Sequence, residues 1–187
     1  MGPEEELIRS SGARPGDVVV QIGQAPIEGA AVLAAAGAST APWSPSADSV
    51  PSISVVEAAL AAATLGAGSM HDPTEGGLAA GLHEIAEASG VAIVVDPSEV
   101  AWFPPALAVV EGAGADPWST LASGTVLATF TQDDVEAALS ELRRLGHVAV
   151  AIGKTRDGRG VTDVSGERVS WPSRDEVARL LGARHPD

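Results

Sequence analysis

The residues with the most chemistry in one place run Met70-His71-Asp72-Pro73-Thr74-Glu75-Gly76-Gly77. A glycine pair lets backbone N–H groups approach a ligand, because no Cβ stands between them. Leu78, Leu82, Ile85 and Ala86 follow at helical spacing, so the run opens a helix. The first N–H groups of a helix have no partner within it, and its dipole favours an anion there. A phosphate held by Gly76 and Gly77, with the Thr74 hydroxyl as a further donor, satisfies both conditions. Asp72 could cap the helix, hold a metal or orient His71. Glu75 opposes an incoming phosphate unless a divalent cation intervenes. An ordinary capped helix with a glycine-rich lead-in accounts for the same residues.

Other candidates are weaker. Gly23-Gln24-Ala25-Pro26-Ile27-Glu28-Gly29-Ala30-Ala31 is a second strand-to-helix junction, with Glu28 and Gly29 as its secondary loop. It matches neither a Rossmann nor a Walker pattern. Asp72, Glu75 and Asp96 form one conceivable metal-assisted set. His83 lies one helical turn from Glu87, as a surface or packing residue does. His147 follows a helix-ending glycine, and His185 is in the tail. No histidine pair has metal-ligand spacing, and no G-x-S-x-G occurs. The acids Asp133, Asp134 and Glu136 suit the first turn of a helix. The four scattered tryptophans read as anchors for loops and chain ends.

Composition narrows the partners. The 187 residues carry 11 basic and 25 acidic side chains, a net charge of −14. Phosphate backbones need clustered Lys and Arg, so nucleic acid is excluded as a partner, and an anionic membrane is disfavoured. Without cysteine, disulfides, thiolate metal sites and thiol catalysis drop out. Glu4, Glu5 and Glu6 replace the basic start of a signal peptide. The longest apolar stretch, 50–69, is alanine-rich and broken by Glu57, too weak to span a bilayer. The expected location is the cytoplasm.

The elements that must position these residues can be read in order. Residues 1–16 are polar and linker-like, ending in the Arg14-Pro15-Gly16 turn. The remainder, 17–187, is one domain. Strands are expected at 17–22, 91–95, 124–130 and 148–152, and a hairpin at 161–171 turning on Ser165-Gly166. Helices are expected at 27–36, 54–65, 78–89, 104–110, 133–145 and 173–181, the second and last opened by Ser54-x-x-Glu57 and Ser173-x-x-Glu176. Residues 38–51 read as a mobile linker and 66–77 as a loop. The strand–helix–strand unit at 124–152 is a βαβ or split-βαβ element. The order mixes α and β without clean alternation, so the class is α+β.

Taken together, the motifs are familiar. Arg14-Pro15-Gly16-Asp17, Ile27-Glu28-Gly29-Ala30-Ala31, Met70-His71-Asp72-Pro73-Thr74-x-Gly76-Gly77-Leu78 and Glu84-Ile85-Ala86-Glu87-Ala88-Ser89-Gly90-Val91 come in that order. The chain resembles, from about Gly12 to Ile152, the C-terminal domain of the aminoimidazole ribonucleotide (AIR) synthase superfamily. It is most similar to hydrogenase-maturation proteins of the HypE type and to AIR-synthase-related proteins. The resemblance implies a layered α/β/α domain with partial ferredoxin-like topology. It also implies ATP and Mg²⁺ held mainly by a separate N-terminal domain, supplied in cis or in trans. The glycine-rich loop, matched here by His71, Asp72, Thr74, Gly76 and Gly77, then faces a phosphate or small-molecule substrate.

The departures are specific. About 16 residues precede the first strand, too few for an N-terminal domain. Glu75 stands where an arginine is common, and Pro26 where a glycine is usual. HypE-type catalysis carries its carbamoyl group on a C-terminal cysteine, whereas this sequence ends Arg184-His185-Pro186-Asp187. Two functions stay open: the C-terminal part of an ATP-using enzyme, or a non-catalytic module of the family that binds a metabolite or a protein.

Overall fold

The computed structural model describes residues 7–41, 43 and 53–182. Its frame is one six-stranded sheet. The strands are β1 (Val18–Ile22), β2 (Ser69–His71), β3 (Ala92–Val95), β4 (Val126–Phe130), β5 (Ala149–Arg156) and β6 (Gly160–Asp163). Their spatial order is β2-β4-β1-β5-β3-β6. β1 pairs antiparallel with both β4 and β5, so those two run parallel to each other with β1 between them. This is the split form of the βαβ unit. β2 runs antiparallel to β4, β3 antiparallel to β5, and β6 parallel to β3.

Helices cover both faces. They are α1 (Ile27–Ala35), α2 (Val56–Thr64), α3 (Gly77–Ser89), α4 (Pro104–Gly112), α5 (Val135–Arg144) and α6 (Glu176–Gly182). The two-residue period of β1 sends Val19 to one face and Val18, Val20 and Ile22 to the other. The Val19 face packs under α3 through Leu78, Leu82 and Ile85. The opposite face packs under α2 and α5 through Ala62, Ala138 and Leu142. A third cluster joins α1, α4 and α6 through Leu33, Val109, Val110 and Leu180. Gln21 is fully buried and fully bonded: its amide donates to the carbonyls of Gly23 and Ala101 and accepts the Ala101 N–H.

The structure corrects several expectations. The stretch 66–77 is not all loop: Ser69–His71 forms the edge strand β2, aligned against Thr129, Ala128 and Leu127. Three residues are too few to show a period, and the strand is held by tertiary bonds, including Ser69 N–H to Thr129 Oγ1 at 3.1 Å. Neither predicted capping serine caps its helix. The N-cap of α2 is Val55, without a side-chain bond. At α6 the Asp175 carboxylate takes the Val177 N–H. β5 runs four residues beyond Ile152, because β3 pairs with it as far as Arg156. The hairpin after β6 reduces to one bridge, Thr162 to Arg168. Most of the expected 38–51 linker, and His185, lie outside the described residues.

The tryptophans do anchor loops: Trp102 meets Trp118 edge-on at 5.5 Å and Trp43 meets Phe103 at 6.0 Å. Among the described residues no helix is long and apolar enough to cross a membrane.

Candidate functional site

Strand directions bring the two predicted junctions together. β1 and β2 both run antiparallel to β4, which lies between them, with Ile22 opposite Val126 and His71 opposite Leu127. Their carboxyl ends therefore share one end of the sheet. The loops that follow, 23–26 and 72–76, emerge there beside the chain leading into β4.

Two glycines fix the junction by close approach. A Cβ on Gly77, whose φ is +62°, would lie 2.5 Å from the Thr120 carbonyl oxygen and 2.6 Å from that of Trp118. A Cβ on Gly29 would lie 2.4 Å from the Thr120 methyl and 2.8 Å from the Leu121 carbonyl oxygen. The helices carrying Gly29 and Gly77 thus clamp one backbone segment, 118–121. Backbone bonds complete the clamp: Gly29 N–H donates to Leu121 at 3.1 Å, and Ala122 N–H donates to Thr74 at 3.2 Å. Gly77 therefore faces carbonyl oxygens. Gly81 lets α3 lie flat on the strand, since a Cβ there would come within 2.7 Å of Pro73 and 3.3 Å of the His71 ring.

His71 sits in a relay. Its Nε2 is 2.6 Å from Glu84 Oε2, and because a carboxylate only accepts, Nε2 carries the proton. Its Nδ1 is 3.0 Å from Ser10 Oγ, which is also 3.2 Å from the Met70 carbonyl oxygen. The Ser10 proton can serve only one of them. Ser10 belongs to a 3₁₀ turn, Ser10–Gly12, that the chain also ties down through Ser89, whose hydroxyl donates to the Ser10 carbonyl and accepts the Ala13 N–H.

Asp72 and Thr74 are exposed on the loop. The carboxyl of Asp72 holds its proton more tightly than an ordinary aspartate. Crowding by the surrounding protein is the main cause, the Glu28 carboxylate adds to it, and His71 acts against it. The secondary-loop residue Glu28 is thus electrostatically coupled to Asp72.

The amide expected to meet an anion is already bonded. Gly76 N–H donates to Asp175 Oδ2 at 2.8 Å, within the buried interior. Glu75, Ser173, Arg174 and Asp175 line a cavity of about 410 Å³ beside it. Asp96 caps its own turn through the Ser98 N–H and hydroxyl. Among the described residues no three acids or histidines come together as a metal-ligand set, which removes Asp72, Glu75 and Asp96 as one.

A larger cavity, about 580 Å³, opens at the same end of the sheet on the α2–α5 side. Gly23, Gln24, Ile27, Glu57, Gly124 and His147 line it. Its edge is apolar and open at Val56, 60% exposed, and Leu145, 49%, and Leu60, 64% exposed, stands nearby on α2. Val56 and Leu60 stand one turn apart on α2 and face the same way.

A family model described as AIR synthase related protein, C-terminal domain, matches residues 14–165. The chain belongs to this family. The carbamoyl dehydratase HypE of Cupriavidus necator is 33% identical over 186 residues, covering 95% of the chain and 53% of that protein. A solved HypE in complex with ATP superposes on the AIR synthase-related domain with TM-score 0.72 at 25% identity, covering 91% of the chain and 55% of that structure. A HypE–HypF complex superposes with TM-score 0.75 at 26% identity, covering 88% and 56%. The domain therefore spans about half the length of the relatives it matches, and it has their mixed, layered fold.

The structure gathers His71, Asp72, Thr74, Gly76, Gly77, Glu28 and Gly29 at one end of the sheet. Sequence reasoning missed the segment 118–122, Asp175, Glu84 and Ser10, and all but Glu84 reach these residues from far along the chain. Glu84 alone had a local signal: it lies on α3, seven residues past Gly77.

Proposed function

We propose that this domain is the substrate-facing half of a HypE-like, ATP-using protein, completed by an N-terminal AIR synthase-type domain in cis or in trans. One observation carries the reading: α1 and α3 clamp the same 118–121 segment, which holds Asp72, Thr74 and Glu28 at one exposed end of the sheet.

The domain does not fit a nucleotide triphosphate by itself. Asp175 already holds the Gly76 amide, carbonyl oxygens crowd Gly77, and Glu75 and Asp72 add negative charge. The phosphates are repelled by that negative charge, and no amide or basic side chain of the loop offsets it. ATP and Mg²⁺ therefore fall to the partner domain. The open apolar edge at Val56, Leu60 and Leu145 suits that domain's approach.

The substrate class that fits is a carbamoyl group, as in the relatives' name. Its carbonyl oxygen accepts the Thr74 hydroxyl and its N–H groups donate to the Asp72 carboxylate. Dehydration removes protons from that nitrogen, and a carboxyl of raised proton affinity beside it is a suitable acceptor. Since the chain contains no thiol, a carbamoyl group carried on sulfur would have to arrive on another polypeptide or segment.

The test is reconstitution. The chain is mixed with an N-terminal AIR synthase-type domain, and carbamoyl-dependent ATP turnover is measured. Turnover that falls about 100-fold in Asp72→Asn and in Thr74→Ala supports the reading. Turnover indifferent to both substitutions overturns the site.

The same Asp175–Gly76 bond favours a second reading, a module of the family whose loop is permanently closed. It requires stable association with an N-terminal domain but no turnover under any reconstitution.

A further inference from the structure

A third cavity lies away from the clamped loops, against the last turns of α3. At about 1.5 Å per residue, Glu87 is roughly 15 Å along the helix from Gly77. The cavity measures about 190 Å³ and is lined by His83, Ala86, Glu87, Arg159, Gly160 and Trp171, with Gly90 at its rim.

Its walls are organised. The rings of His83 and Trp171 stack, with centroids 4.9 Å apart and planes 13° from parallel. His83 Nε2 lies 2.8 Å from the Val169 carbonyl oxygen, which fixes the ring and places a proton on that nitrogen. Trp171 nevertheless remains 47% exposed. Gly90 and Gly160 line it without side chains.

Its charges are unspent. Among the described residues Arg159 and Glu87 have no ion-pair or hydrogen-bond partner for their side chains. One guanidinium, one carboxylate and an aromatic platform bound a space smaller than the roughly 300 Å³ of drug-sized pockets. A guanidinium selects a carboxylate, a carboxylate selects an ammonium, and an indole face takes an apolar side chain or a cation.

We propose that this cavity is a binding site for a small zwitterion of the free α-amino acid class. Arg159 takes the carboxylate, Glu87 takes the ammonium, and the side chain lies on Trp171. The site is separate from the loops at 23–31 and 70–77, so a ligand there leaves them uncovered.

The test is a calorimetric titration of the full chain with L-leucine and L-phenylalanine, alongside N-acetyl-L-leucine, which lacks the ammonium, and L-leucinamide, which lacks the carboxylate. Arg159→Gln, Glu87→Gln and Trp171→Ala are titrated in parallel, with far-UV circular dichroism and Tm to show that each is folded. The expected result is saturable binding of at least one amino acid, weakened about tenfold or more by either blocked analogue and by each of Arg159→Gln and Glu87→Gln. A flat titration up to the solubility limit overturns the proposal. So does equal binding of N-acetyl-L-leucine, which would make the cavity a plain carboxylate site, and so does binding that survives Arg159→Gln and Glu87→Gln unchanged. Trp171→Ala removes a surface ring, and if it melts early, Trp171→Phe supplies the aromatic platform without the indole.

Discussion

Asp175 accepts the N–H of Gly76 across 99 residues of sequence, at 2.8 Å. The unpaired first amides of α3, which a sequence reading reserves for an external anion, thus include one that a carboxylate of the chain itself already satisfies. Deleting that carboxylate strands a buried donor. Asp175→Ala should cost about 1–3 kcal/mol, a fall in Tm of about 2–4 °C per kcal/mol for a chain this size. Asp175→Asn keeps an acceptor oxygen and should lose much less. Thermal melts of the two variants separate the contribution of the bond from that of the charge.

Gly77 and Gly29 should tolerate nothing larger. Gly77→Ala places a methyl 2.5 Å from a backbone carbonyl oxygen at a φ of +62°. The clamp on 118–121 must then open, at about 3 kcal/mol or more. Gly29→Ala meets the Thr120 methyl first, a side-chain atom that can rotate, and should be the milder of the two. Urea titrations yielding equal losses would show that the clamp is not tighter at α3.

The raised proton affinity of Asp72 has a definite sign for stability. The folded chain holds that proton to higher pH than the unfolded chain does. Its contribution is therefore present at low pH and is lost as pH rises through the raised value. Asp72→Asn should remove this decline, so the difference in Tm between variant and parent should grow in the variant's favour from acidic to neutral pH. A constant difference would refute the coupling to Glu28 and to the loop's crowding.

Glu176 has the opposite sign. The Arg179 guanidinium bonds its carboxylate at 2.6 Å and holds it below the ordinary glutamate range, against the effect of burial, and the Asp116 N–H adds to the lowering. This stability is complete above the ordinary glutamate range and is lost as pH falls through the depressed value. In Arg179→Met, the acid limb of the Tm–pH curve should move to higher pH. An unmoved limb would show that the pair contributes nothing to holding α6 against α1 and α4.

How much of this was legible in the sequence depends on the range of the interaction. The helices α3 and α5 announce themselves, because their apolar faces repeat every turn and Gly90 and Gly146 close them locally. The central strand β1 does so too, since Val18, Val19 and Val20 are buried on both sides and need no alternation. β2 was not legible: three residues carry no period, and what makes them a strand is Thr129. The capping serines Ser54 and Ser173 fit a local pattern, but Val55 and Asp175 occupy the cap positions. The site was half legible. Its glycines and its acid stand in one run, whereas the groups that occupy them, Thr120, Glu84, Ser10 and Asp175, come from four other places in the chain.

The strand order carries a consequence for biosynthesis. β1 lies at the centre of the sheet, yet both of its neighbours come much later in the chain, β4 ending at residue 130 and β5 at residue 156. Such long-range pairing is slow to form. Until residue 156 emerges, β1 lacks one of its two neighbours, and the apolar face of α3 lacks the β5 part of the sheet it packs on. A nascent chain stalled before that point would be a target for chaperones or for aggregation, and one stalled shortly after it could close the whole centre of the sheet at once.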